Sequence, residues 1–108
     1  MSSISTHILD TARGAPAGGV RASLEMQTAD NWSVIGSDVT NNDGRIASFV
    51  RGDTPLAPGI YRLRFDIGSY QDGFYPEVLV TFRVDNAAQH YHVPLLLSPF
   101  GYSTYRGS

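Results

Sequence analysis

His90-Tyr91-His92 places two imidazoles two residues apart, and on a β-strand that spacing turns both to one face. Imidazole has an unperturbed pKa of about 6.5, so it can take or give a proton near neutrality, and its neutral form is a common metal ligand. With His7, the third histidine of the chain, the pair admits two chemistries. One is proton transfer to and from water; the other is a three-histidine zinc site of the hydrolytic kind. The zinc reading is the poorer one, because His-x-His is a frequent coincidence and no acidic residue adjoins the pair to orient a ligand ring. No metal is expected, and no other cofactor.

A second candidate is Arg45, which follows the strongest turn of the chain, Asn41-Asn42-Asp43-Gly44. Gly44 supplies the positive φ such a turn needs, and Arg45 leaves it into a short strand, Ile46 to Phe49. Beside a carbonyl under attack its guanidinium would stabilise the developing oxyanion; at a strand end it is equally compatible with a solvated charge. Ser98, His92 and Asp10 supply the residue types of a serine triad. No G-x-S-x-G elbow is present and Ser98 precedes Pro99, which reads as a turn, so that arrangement is set aside. The last residues, Tyr102-Ser103-Thr104-Tyr105-Arg106-Gly107-Ser108, carry two aromatics and an arginine. Ordering such side chains costs entropy that only packing or binding recovers, so a strand continuing to the last residue is expected instead of a frayed tail.

The elements that position these residues are short strands. Turn residues recur at Arg13-Gly14-Ala15-Pro16, Gly18-Gly19, Arg51-Gly52-Asp53-Thr54-Pro55, Pro58-Gly59 and Asp72-Gly73. Between them, Val20 to Met26 alternates apolar and polar residues, and Asn31 to Val39 is its expected hairpin partner. Ile60 to Asp66 sets Ile60, Leu63 and Phe65 around two outward arginines, with a slip of parity near Tyr61. Tyr75 to Val84 places Val78, Val80, Phe82 and Val84 on one face. Tyr91 to Ser98 is a more continuous apolar run, suited to a strand covered on both sides, in which Pro94 suggests an edge or a bulge. Only Ser69 to Asp72 and Asn86 to Gln89 could be helical, and both are too short to set the fold. The expectation is an all-β, two-sheet sandwich of about seven or eight strands, with at most one short helix.

Composition bounds the function. A chain of 108 residues, 42% hydrophobic and 17% charged, suits a single domain over 1–108 with its own core. With no cysteine there is no thiol nucleophile, disulfide or cysteine zinc site. A net charge of −2 without a basic run gives nucleic acid and anionic membranes no attraction, so neither partner is expected. No apolar run reaches the roughly 18 residues of a membrane helix. The opening MSSISTHILD lacks the basic and apolar regions of an export signal, and a cytoplasmic location is expected. All eight cationic side chains are Arg.

Taken together, HILDTARGAPAGGV (His7 to Val20), NNDGR (Asn41 to Arg45), FYPEV (Phe74 to Val78) and HYHVPLLLSPFGYSTYRGS (His90 to Ser108) resemble the 5-hydroxyisourate hydrolases. These form the enzyme branch of the transthyretin-like family, and the resemblance spans nearly the whole chain. It implies an eight-stranded sandwich and a homotetramer with active sites at the dimer-dimer interface. The implied reaction opens the ring of 5-hydroxyisourate by adding water to a ring carbonyl, on the route of urate degradation. By the same resemblance His7, Arg45, His92 and Ser108 are the catalytic residues. Tyr105 binds substrate together with His7 and Arg45. His90, at the rim, is expected to be a surface residue, and Arg106 to point away into a structural ion pair. A C-terminal tag is expected to reduce activity more than an N-terminal one.

The connection Ile67 to Gly73 is shorter than the family's helix-bearing one, so a helix there is expected to be shortened or absent. The competing function is a transthyretin-like carrier of a small ligand, with the same sandwich and tetramer and no turnover. Such a carrier has no use for His7, Arg45, His92 and YRGS at once.

Overall fold

Alternating apolar residues build two sheets that close on one another. The computed structural model describes residues 3–50 and 56–107. In it β1 (Ser3–Asp10), β2 (Ala15–Pro16), β5 (Arg45–Ile46), β8 (His90–Ser98) and β9 (Gly101–Thr104) form one sheet. The other contains β3 (Arg21–Thr28), β4 (Asn31–Val39), β6 (Gly59–Asp66) and β7 (Glu77–Val84). The first runs β2-β1-β8-β9 with β5 also paired to β1, and the second runs β4-β3-β6-β7. All these pairings are antiparallel except β1 with β8. Ile4, Ile8, Leu95 and Leu97 from one sheet meet Leu24, Leu63, Phe65 and Val78 from the other, all wholly buried. The turn Arg51 to Pro55 lies outside the described residues.

Two details differ from the sequence expectation, each for a local reason. Tyr61 causes no slip of parity: Tyr61, Leu63 and Phe65 all face the core, and the tyrosine hydroxyl is accommodated by donating to Ala57 O at 2.6 Å. Pro94 is not on an edge, because β8 lies between β1 and β9. Its carbonyl accepts from Thr104 Oγ1 at 2.7 Å, and its nitrogen has no hydrogen to donate. The β8-β9 ladder therefore opens between the Leu95-Thr104 pair and the His92-Gly107 bridge, and Tyr105 and Arg106 occupy that gap. As the short connection Ile67 to Gly73 implies, no helix forms between β6 and β7, only a turn in which Tyr70 N and Gln71 N both donate to Ile67 O. Tyr70 then reaches back to β1, its hydroxyl donating to Asp10 Oδ2 at 2.7 Å. Among the described residues no helix is long and apolar enough to cross a membrane.

The outward arginines of β6 are bound to β3. Glu25 is 5% exposed and accepts from Arg62 Nε and Arg64 Nε, both at 2.8 Å. Arg64 also reaches Glu77, and the Arg62 guanidinium lies 4.1 Å over the Trp32 ring. Burial pushes the Glu25 carboxyl up, but the bonds from Arg64 and Arg62 outweigh it and hold the group below its ordinary value. This stabilisation is present above about pH 4.5 and is lost as pH falls through the depressed folded value. Glu25→Gln is expected to cost about 3 kcal/mol at neutral pH, near the lower end for a broken buried pair because water can reach both arginines. Urea unfolding of the variant against the parent at pH 7 and pH 3 checks this, with the difference shrinking in acid.

Candidate active site

The register of one sheet gathers the candidate side chains. In β1 the residues Ile4, Thr6, Ile8 and Asp10 are buried, so Ser3, Ser5, His7 and Leu9 belong to the opposite, outer face. The parallel pairing sets Ser3 against His90, Ser5 against His92 and His7 against Pro94, while β5 sets Arg45 against His7. Paired residues share a face, so His7, Arg45, His90 and His92 all stand on the outer side of this sheet.

Arg45 is delivered there by its turn. Asn41 Oδ1 accepts from Asp43 N at 2.9 Å and Arg45 N at 3.0 Å, closing the loop on itself. Gly44 has a φ of +74°, and a side chain there would place its Cβ 2.4 Å from Ile8 O. The turn can therefore dock on β1, where Ile8 N donates to Gly44 O at 2.7 Å, and Arg45 emerges one residue later beside His7.

His92 is held from two directions. Its Nδ1 lies 2.7 Å from the Oγ of Ser5, a residue that is 7% exposed. On the other side Gly107 N donates to His92 O at 2.8 Å, and a Cβ at position 107 would lie 2.5 Å from the imidazole Cδ2. Only a glycine lets the chain pass so close to the ring, which gives the glycine of YRGS a steric purpose. Among the described residues Nε2 has no hydrogen-bond partner, so it is the nitrogen open to a ligand. The His92 pKa is lowered from 6.5, first by burial and then by positive charge on His90, Arg45 and His7. Because the unfolded chain binds this proton more readily, His92 costs no stability above pH 6.5. Below that pH it destabilises the fold progressively until the folded value is passed.

Ser5, Arg45, His90 and His92, with Asn41 and Ala47, line a hollow of about 320 Å³; His7 stands on the same face but is not part of that lining. Tyr105 is not in it. It lines an adjoining cavity of about 340 Å³ that shares His92 and whose walls include Val80, Phe82, Tyr91 and the two arginines Arg83 and Arg106. Arg106 borders the same cavity, and its partners among the described residues are not the acidic ones of an ion pair. Its guanidinium lies 4.7 Å over the Tyr91 ring and donates to Gln89 Oε1. Ser108 lies outside the described residues. The serine triad is not assembled, since Ser98 Oγ donates to Gly101 O and Asp10 binds Tyr70 and the amides of Ala12 and Arg13. Among the described residues no three histidine, aspartate or glutamate side chains converge as a metal site would require.

Sequence reasoning passed over Ser3, Ser5 and the bonded role of His90. The signal was available as Ser3-x-Ser5-x-His7, three polar residues at period 2, but it becomes legible only once β1 is known to lie parallel to β8.

The pattern of the HIUase/Transthyretin family matches residues 4–107. A probable 5-hydroxyisourate hydrolase of Caenorhabditis elegans is 49% identical over 112 aligned residues, covering 99% of this chain and 82% of that protein. Among solved structures, the 5-hydroxyisourate hydrolase of Klebsiella pneumoniae superimposes with a TM-score of 0.84 at 36% identity, covering 98% of this chain and 99% of that one. Transthyretin from Sparus aurata does so with a TM-score of 0.88 at 32% identity, covering 97% and 96%. With the match running through β1, the Arg45 turn and the C-terminal segment alike, the chain belongs to the HIUase/transthyretin family.

Proposed function

We propose that this protein hydrolyses 5-hydroxyisourate, opening a cyclic amide by water attack at its carbonyl. The observation that carries the reading is the meeting, on one sheet face, of Arg45 with a His92 whose neutral form is favoured and whose Nε2 is open. Nε2 takes a proton from water as the water oxygen bonds to the carbonyl carbon. Arg45 donates to the carbonyl oxygen as it becomes anionic. The C-N bond then breaks, and its nitrogen takes the proton back from the imidazolium. His7, opposite Arg45, orders the attacking water. Tyr105 borders the substrate from the adjoining cavity, and Ser108 is assigned with it to binding substrate and ordering the base. No metal or other cofactor takes part.

The same face argues for assembly. Arg45 and His90 are exposed in the single chain, and a shallow hollow cannot shield an oxyanion from bulk water. A second copy laid over this sheet would close it, and the working form we propose is the homotetramer with sites between dimers that the family resemblance implies. We place the activity in the cytoplasm, in keeping with a small sandwich built without cysteine.

A carrier on this fold would bind in the same place without turnover, and transthyretin's likeness shows that fold alone does not separate the two. The test is to generate 5-hydroxyisourate in situ from urate and follow its decay by ultraviolet absorbance. Acceleration well above the spontaneous rate is expected; decay at the spontaneous rate overturns the reading.

A further inference from the structure

Four polar side chains run in an unbroken line along the β1-β8 pair. Ser3 Oγ bonds His90 Nδ1, and Ser5 Oγ lies 3.0 Å from His90 Nε2 and 2.7 Å from His92 Nδ1. The two rings are nearly parallel, 17° apart with centroids at 6.4 Å. Both nitrogens of His90 are thus engaged, and Ser5 touches both rings.

Counting hydrogens orients the line. A serine hydroxyl has one hydrogen, so Ser5 donates to one ring and accepts from the other. For His92 to present a lone pair at Nε2, its hydrogen must be on Nδ1, donated to Ser5 Oγ. Ser5 then donates to His90 Nε2, and His90 carries its own hydrogen on Nδ1, donated to Ser3 Oγ. Every bond points from the buried end to the exposed end.

The reaction needs such an exit. Water adds to the amide, one of its protons goes to the departing nitrogen, and the new carboxylic acid ionises at neutral pH. The ureido nitrogen is not basic, so one proton per turnover must leave the site. Among the described residues the groups facing His92 are His7 from β1, Arg45 from β5, His90 on its own strand, Arg83 from β7, and Tyr105 and Arg106 from the C-terminal segment. Among the described residues no carboxylate lines either hollow that His92 borders.

We propose that Ser5 and His90 are a proton relay that carries this proton from His92 to solvent. The relay rests on the reading of His92 as the base. After the first proton has gone to the leaving nitrogen, Nε2 takes the acid proton of the new carboxyl group, releasing the Nδ1 hydrogen to Ser5 Oγ while the Ser5 hydrogen passes to His90 Nε2. The His90 cation then gives its Nδ1 hydrogen to water or buffer beside Ser3. Once product has left, His92 Nε2 releases its hydrogen to water in the vacated hollow while His90 Nδ1 regains one from solvent and the line reverses. The starting tautomers are restored with no net transfer. Both residues line the hollow beside His92 and exchange protons only through its ring; between turnovers Ser5 also fixes the His92 tautomer.

His90 is exposed, so His90→Gln leaves packing intact, and Ser5→Ala removes a single oxygen. In weak buffer both variants are expected to lower kcat about fivefold, the scale of one lost hydrogen bond, with KM moved by less than about twofold. Millimolar imidazole should restore kcat of His90→Gln and leave the parent unchanged, and Ser5→Thr, which keeps the hydroxyl, should recover what Ser5→Ala loses. Unchanged kcat in weak buffer, or a loss that imidazole does not restore, overturns the relay. Parent-level turnover by His92→Asn overturns the base assignment instead, so the two failures are distinguishable.

Discussion

His92→Asn is expected to lower kcat/KM by about 100- to 10,000-fold, the range for removing a general base. The choice of Asn is deliberate. Its amide occupies roughly the place of Nδ1 and can keep the 2.7 Å bond to Ser5 Oγ, while nothing replaces Nε2. The Gly107 N to His92 O bond involves only backbone and is untouched. Stability should therefore change by no more than about 1 kcal/mol, and a folded, inactive protein separates catalysis from architecture. The parent should show the matching pH profile. Because burial and three positive neighbours hold the His92 pKa below 6.5, the acid limb of kcat/KM against pH should fall below that value. At pH 6.5 a histidine with the ordinary value would already be half protonated. A limb at or above 6.5 would contradict the assignment.

How much of this was legible beforehand depended on where polar residues face. β7 could be read from Val78, Val80, Phe82 and Val84 because its inward face is wholly apolar, and so could the β3-β4 hairpin. β1 could not be read from alternation alone. Its inward face includes Thr6, which donates to Val93 O, and Asp10, which binds Tyr70, so buried polar groups blur the period. Tyr61 misled for the same reason: a hydroxyl at the end of a core ring is invisible to a pattern that counts apolar residues.

The site divides similarly. His90 and His92 share a face by spacing alone, a local property. That His7 and Arg45 share that face depends on a parallel pairing of β1 with β8 and a turn packed on Ile8, and both are relations between distant segments. Motif resemblance reached these residues; spacing did not. The bonds of Ser5 to both rings, and the gap that Pro94 opens for Tyr105, required the register itself.

Arg45→Ala is expected to lower kcat by about 100- to 1,000-fold, the loss found when one preorganised donor to an oxyanion is removed. Arg45→Lys should recover only part of this, because a point charge on a flexible stem replaces a planar fork of donors. The pair also separates two roles of the residue. Arg45 is one of the cations that lower the His92 pKa, so removing its charge makes the imidazolium easier to form. The acid limb of the Arg45→Ala profile should accordingly move up toward 6.5, whereas Arg45→Lys, still charged, should leave it near the parent position. Since Arg45 is exposed, that displacement should shrink as salt is raised, over ionic strengths where the screening length falls to about 8 Å or less. The loss of kcat, which depends on a donor in direct contact with the oxyanion, should persist at every salt concentration. An Arg45→Ala protein that is slow but keeps the parent's acid limb would show Arg45 acting on substrate without sensing His92. Full turnover with the limb displaced would remove it from the oxyanion and leave it only as a tuner of the base.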